Sequence, residues 1–299
     1  MQLRSNDAFP GVGVGYALPG LALRPYVSTI SCIEVADAAG TIIDWIYPEW
    51  GNVRFASEGQ MMLRTGAGPL EDCTPASGIG PTSHATRFSL SPGRYWSISL
   101  TPLGWARFVG TGAAALAERW QKVEEDGAFA AFAGISAIVA EDDPARVIAG
   151  IDAHLGGLPA SPVRDADRIL AVHDALIDPA VTSVGELADR AGLEPRTLQR
   201  LAASAFGFRP ILLIRRQRFL RSLALYMLDP SLSWIDTLDT QYHDQAHFIR
   251  DFRRFMDMTP GQYGKLPHPV MWAAARARVE TAGSVMQVLQ APSPAGRRG

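Results

Sequence analysis

Arg196, Gln199 and Arg200 and, fifty residues further on, Gln245, His247 and Arg250 are side chains suited to recognition rather than to covalent chemistry. A guanidinium offers two parallel N–H donors that match guanine O6 and N7, and a glutamine amide offers the donor and acceptor that match an adenine edge. A short helix presenting such groups from its N-terminal turns is shaped for a major groove.

Presenting them requires helices held by a packed core, and the sequence repeats the parts of one. At an offset of fifty residues Val184 matches Trp234, Ala188 matches Leu238, Leu198 matches Phe248, Arg200 recurs as Arg250 and Pro210 as Pro260. Packing, cationic and turn positions recurring together indicate one helical unit used twice.

In the first unit Ser183 is placed to cap a helix over 183–190, Ala191-Gly192 makes a turn, and Glu194-Pro195 opens a second helix with Pro at its first position. There Leu198, Leu201 and Ala202 take core spacing and leave Arg196, Gln199, Arg200 and Ala203 on another face. In the second unit Asp244 is the expected N-cap; Phe248, Ile249 and Phe252 form an apolar stripe and leave Gln245, His247, Arg250 and Arg253 outside it. Residues 211–228 join the units. Their Arg215, Arg216, Arg218 and Arg221 are candidate phosphate clamps or partners of acids such as Asp229, Asp236 and Asp239.

The rest of the chain reads differently. From about residue 22 to 109 short β-branched and aromatic runs (41–48, 52–56, 61–64, 85–90, 94–101 and 106–109) alternate with Gly, Pro, Ser and Asn clusters, which predicts a β-sandwich or a small, cupin-like β-barrel. Residues 111–158 turn to Ala, Leu, Glu and Arg at helical spacing, with Asp143-Pro144 starting a helix, and the Gly/Pro cluster 156–162 marks a boundary. Residues 164–263 read as helix throughout, broken at turn signals. A further helix is expected before a compositional tail that reads as disordered.

The expected fold class is therefore α+β: a β-barrel-like, cupin-like sensor domain over 1–110, a helical connector and linker over 111–162, two helix-turn-helix units joined by a long helix over 163–265, and an extension over 266–299. In the β domain Trp45, Tyr47, Trp50, Trp96, Arg54 and Arg94 are candidates to line an effector pocket. The plainer alternatives are an aromatic core and solvent-facing strand arginines.

Composition narrows the chemistry. The 299 residues are 47% hydrophobic, enough for packed cores, and no apolar run approaches the roughly 18 residues of a membrane span. The N-terminus has no unbroken apolar segment of signal-peptide type, so a cytoplasmic location and no membrane partner are expected. The net charge of −2 divides into −6 over 1–162 and +4 over 163–299, a modest asymmetry compatible with a nucleic-acid module joined to something else.

Cys32 and Cys73 have no metal-ligand spacing and read as buried small hydrophobes. Only His84 and His154 precede residue 162, so a histidine-rich barrel metal centre is not expected, and neither cysteine has the neighbourhood of an alkyl-transfer nucleophile. The glycines of 11–16 lack the Lys-Ser/Thr of a phosphate loop. No catalytic residue, metal or cofactor is expected.

The segments SVGELADRAGLEPRTLQRL, then Gly207 and Pro210, then DQAHFIRDFRRF and TPGQY resemble the AraC/XylS family of bacterial transcription regulators over about 183–263. The N-terminal half is more loosely similar to the β-rich sensor domains of some members. The resemblance implies two recognition helices in successive major grooves, about 34 Å apart along one face of double-stranded DNA. It implicates Arg196, Gln199 and Arg200, with Thr197 beside them, and Gln245, Ala246, His247 and Arg250, with Arg253 beside them.

A small-molecule or protein effector, RNA polymerase and a second copy of the chain are further candidate partners. The sequence departs from the family's pattern where Gln241-Tyr242 replaces a turn Gly, where Asp257 replaces a Gly before Thr-Pro, and where Ala202 replaces a larger aromatic. The competing expectation is a protein-interaction module whose second unit no longer reads bases.

Overall fold

The computed structural model describes residues 1, 3–6, 9–65, 68–159 and 161–293. Residues 294–299, in the tail read as disordered, lie outside the described residues. Eleven strands are described: β1 (Arg4–Asn6), β2 (Phe9–Ala17), β3 (Val27–Val35), β4 (Ile42–Ile46), β5 (Asn52–Ala56), β6 (Met61–Thr65), β7 (Glu71–Asp72), β8 (Ala76–Ile79), β9 (Thr86–Leu90), β10 (Gly93–Leu100) and β11 (Trp120–Lys122). They form two antiparallel sheets, β1-β2-β3-β10-β5-β8-β11 and β4-β9-β6-β7.

Strand alternation in the larger sheet divides two environments. Ile30 and Cys32 of β3, with Phe55 of β5 and Ile98 of β10, enter a core beneath helices, while Ser31 and Ile33 face a cavity between the sheets. The glycine-rich 11–16 segment lies inside β2, as strand and not as a ligand loop.

Two expectations are corrected here. Residues 106–109 are not a strand, because Thr101 caps a helix there: its hydroxyl accepts from Gly104 N and Pro102 occupies the first turn, giving α1 (Pro102–Phe108). The helical reading of 111–158 is corrected in part, since the segment also holds a strand. After α2 (Ala113–Leu116), β11 returns to pair with β8, and α3 (Ile135–Ile138) and α4 (Pro144–Gly157) complete the core beneath the larger sheet with Phe129, Val147, Ile151 and Leu155. A short apolar run does not reveal by periodicity alone whether it is strand or helix.

The C-terminal part holds α5 (Ala166–Ile177), α6 (Val184–Ala191), α7 (Pro195–Leu201) running on as π-helix over Ala202–Phe206, α8 (Pro210–Leu228), α9 (Gln245–Met256), α10 (Pro260–Tyr263) and α11 (Met271–Ala282). Its core is continuous with that of the β domain, since Val12 and Leu90 share one cluster with Phe219, Phe252 and Met271. Helix α11 packs on β1, β2, β4 and α8. It thus bridges edge strands of both sheets and fills the seam where a barrel would otherwise close.

Candidate nucleic-acid interface

The first unit is assembled by local rules. Ser183 and Glu186 form a reciprocal capping box: the Ser183 hydroxyl accepts from Glu186 N at 3.2 Å, and Glu186 Oε2 accepts from Ser183 N at 3.0 Å. Gly192, at φ 64°, ends α6 in the left-handed conformation that a side chain would resist, and Pro195 starts α7. Leu198 and Leu201 are buried, Thr197 is half-buried, and Arg196, Gln199 and Arg200 are exposed along one side. Ser183→Ala is expected to cost about 1 kcal/mol of stability, read as a lowered urea midpoint, with the effect absent if the box contributes nothing.

In the second unit Asp244 caps α9 by accepting from His247 N at 2.6 Å, and Asp257 ends it at φ 55°, taking the left-handed role of the glycine it replaces. Gln245, Ala246, Arg250 and Arg253 are exposed.

The helix expected ahead of α9 does not form. Among the described residues, 229–244 hold only turns, and this corrects the reading of 164–263 as helix. Side chains there satisfy backbone groups that a helix would need: Asp236 accepts from Ser233 N and Oγ, and Asp239 accepts from Gln241 N. Packing is kept without the helix, because Trp234 stacks on Tyr226 at 3.8 Å and meets Phe252 edge-on at 5.0 Å. With no positive φ at Gln241 or Tyr242, the missing turn glycine is not required.

A family model described as a helix-turn-helix domain matches residues 187–265, from inside α6 to just past α10. The chain carries a helix-turn-helix domain of the AraC type. With this domain it is a DNA-binding transcription regulator.

No curated protein sequence matches the chain. Among solved structures it is similar to ToxT from Vibrio cholerae O395, at TM-score 0.41 and 12% identity over 75% of this chain and 95% of that one. Unsaturated fatty acid bound wild-type ToxT from Vibrio cholerae gives TM-score 0.42 and 10% identity over 75% and 95%. The AraC-like transcriptional activator CuxR gives TM-score 0.30 and 12% identity over 74% and 85%. The assignment rests on the domain match and the geometry above.

Within the helix-turn-helix domain the arginines of α8 are placed differently from a row of phosphate clamps. Arg215 and Arg218 donate to Asp251 of α9 at 2.5 and 3.0 Å, Tyr242 OH donates to the same carboxylate at 3.2 Å, and Asp251 is completely buried. Arg218 Nη2 also lies 3.0 Å from His247 Nε2. A guanidinium can only donate, so that nitrogen carries the lone pair; burial and the Arg218 charge hold the imidazole below its ordinary value. His247 is therefore half-buried and neutral, bound into the scaffold of α9. Arg221 pairs with Asp239, as one of the sequence alternatives has it, whereas Asp229 and Asp236 bond Ser231 and Ser233 instead.

Sequence reasoning missed Asp251. The available signal is an acid between Phe248 and Phe252, inside an apolar stripe, where a carboxylate needs cations to be tolerated.

Arg216 points the other way. It is fully buried between the two halves of the chain, stacks 4.0 Å from the Trp50 ring and donates to Thr82 O at 2.8 Å, so it cannot reach a phosphate. Burial pulls its guanidinium well below the ordinary arginine range. The segment that receives it also touches both units: Pro81 meets Gly207, and Ala85 N donates to Phe255 O at 2.7 Å.

The six effector-pocket candidates separate. Tyr47, Arg54 and Trp96 border a cavity of about 70 Å³ between the sheets, with Tyr16 and Glu49. Trp50 lies instead at the junction with Arg216, Trp45 lies under Arg87 outside the cavity, and Arg94 pairs with Glu34 at 2.9 Å. Arg54 is held by Glu49 at 2.8 Å and by Asn52, so it brings no net cation for an anionic ligand.

Burial pushes the Cys32 thiol up to about 12 and Cys73 up to about 11, opposite to what a nucleophile needs. His84 faces Asp257 at 3.4 Å and His154 a backbone carbonyl at 2.9 Å. No metal-holding group of three or more His, Cys, Asp or Glu occurs among the described residues. Nor is any described helix long and apolar enough to cross a membrane.

Proposed function

We propose that this regulator reads a specific operator with α7 and α9 in adjacent major grooves, and that its β domain tunes the reading through a bound effector, a second copy of the chain, or both. The observation that carries the proposal is the exposure of Arg196, Gln199 and Arg200 on a capped α7, matched by Gln245, Arg250 and Arg253 on a capped α9. Each row stands clear of the packed side of its helix. Arg200 and Arg250 are the intended bidentate base contacts, and exposed arginines nearby supply phosphate contacts.

The test is footprinting on a selected site. Arg200→Ala and Arg250→Ala are each expected to weaken specific binding by about 1–3 kcal/mol and to relax sequence preference in one half of the site only. The absence of a leading helix before α9 favours a second reading, in which the second unit serves packing or a protein partner. Loss at Arg200→Ala with no change at Arg250→Ala would decide for it, and no change in either variant would sink the two-groove model.

A further inference from the structure

The C-terminal extension beyond the helix-turn-helix domain is built into the β domain. Asp44, at the centre of edge strand β4 and completely buried, accepts from Val270 N and Met271 N, each at 3.0 Å, and its Oδ1 lies 3.0 Å from His268 Nδ1. All three contacts come from the start of the extension. Further along, Val285 O accepts from Tyr47 OH at 3.2 Å, and Gln287 Nε2 donates to Leu100 O at 2.6 Å. The same segment holds the DNA-binding part: Val288 O accepts from Gln217 Nε2 of α8 at 2.6 Å.

Between these anchors α11 is buried at Ala273, Ala274, Ala275 and Ala277, small side chains that let a helix lie close to the neighbours around it. Val270, Met271 and Ala274 form one wall of the cavity between the sheets. Leu63, Phe88 and Leu90 also line it, and Tyr16, Glu49 and Arg54 make a polar end. Arg278 of α11, also buried, lies 5.9 Å from the Tyr16 ring but is not part of the cavity lining, and its guanidinium donates to Ser284 O and Gln290 Oε1 within the extension.

We propose that residues 266–290 are the movable wall of a small-molecule site, latched by Asp44, and that the ligand is a small, mostly apolar molecule with one uncharged hydrogen-bonding end. The proposal deepens the effector reading above and rests on it. An apolar body matches the Leu, Phe and Met lining. A neutral polar end matches the paired Glu49 and Arg54, which hydrogen-bond without presenting a net charge. The cavity, about 70 Å³, is half the size of the ~150 Å³ engineered apolar cavity that holds benzene. A ring-sized ligand therefore enters only when the wall yields. Because the wall also grips α8, its movement is felt by the helix on which α9 is seated.

Phenol, a ring with one hydroxyl, is the probe. Hydrogen exchange followed by mass spectrometry on the full chain is expected to show at least tenfold slower exchange with phenol in both 266–290 and the cavity strands β6 and β9. Asp44→Asn is expected to speed exchange of 266–290 at least tenfold and to raise the phenol association rate, with α4, in the separate core beneath the larger sheet, unchanged. If that variant does not fold, His268→Ala removes one of the three latch contacts and is expected to give the same changes at smaller amplitude.

Protection of β6 and β9 without protection of 266–290 would leave the effector reading standing and overturn the movable wall. Protection in neither region would overturn both. Exchange of 266–290 only through global unfolding, in wild type and latch variant alike, also overturns the wall.

Discussion

Replacing Asp251 with Ala is expected to destabilise the helix-turn-helix domain by about 3 kcal/mol and to abolish specific binding at the half-site proposed for α9. The carboxylate is completely buried, and it joins Arg215 and Arg218 of α8 to Tyr242 ahead of α9. Breaking a buried pair by removing one partner costs roughly 3–5 kcal/mol, because the other charge stays behind uncompensated. Here Arg215 is 37% exposed and regains water, which reduces the cost, while Arg218 at 14% cannot. Its remaining neighbours would be a neutral imidazole and the Tyr242 ring 4.6 Å away.

Asp251→Asn keeps one acceptor and is expected to lose about half as much. Urea denaturation measures the stability change, and footprinting separates it from docking: protection over the α7 half of the site persists while protection over the α9 half disappears. Equal loss in both halves would show that Asp251 serves general stability and does not set the seat of α9.

The second large effect is on acid stability. His173 of α5 is buried against Trp50 and Phe206, with ring centroids 6.0 and 6.5 Å apart, and burial pulls its imidazole down to about 4. The unfolded chain takes up this proton near pH 6.5 and the native protein does not until about pH 4, so the unfolded state binds more protons between these values. The contribution of His173 is fully present above pH 6.5 and is lost progressively as the pH falls toward 4, by about 3 kcal/mol in all. The urea midpoint of the wild type should drop over this window. His173→Leu should flatten the drop while losing little at pH 7.5, and an unaltered pH slope in that variant would exclude His173 as its source. Because His173 sits beside Trp50, which stacks on Arg216, the acid-labile region is the junction between the two halves of the protein.

Legibility in the sequence followed the range of the forces involved. Ser183 as the cap of α6, the Gly192 turn, Pro195 at the start of α7, Asp244 as the cap of α9 and Asp257 in its left-handed place are set within four residues of chain, and each was readable. The exposed faces of α7 and α9 follow from helical periodicity. Residues 229–244 were misread because the repeat preserves packing positions, and Trp234 meets its partners from a turn as well as from a helix. Residues 106–109 were misread because a four-residue apolar run fits either period.

The sequence by itself determined two capped helical segments, each with cationic side chains on a face clear of the core, since spacing, caps and apolar stripes are local properties. Only the tertiary structure decided what the other arginines do. Arg215, Arg216 and Arg218 are alike in the sequence, yet two are tied to a carboxylate more than thirty residues away and one is buried on a tryptophan of the β domain. Only the tertiary structure showed that the extension seals the seam between the sheets through Asp44, 224 to 227 residues distant. The physical reason is that a charge or a backbone N–H acquires its role from what desolvates and pairs it, and in a folded chain those partners are brought together by topology rather than by spacing.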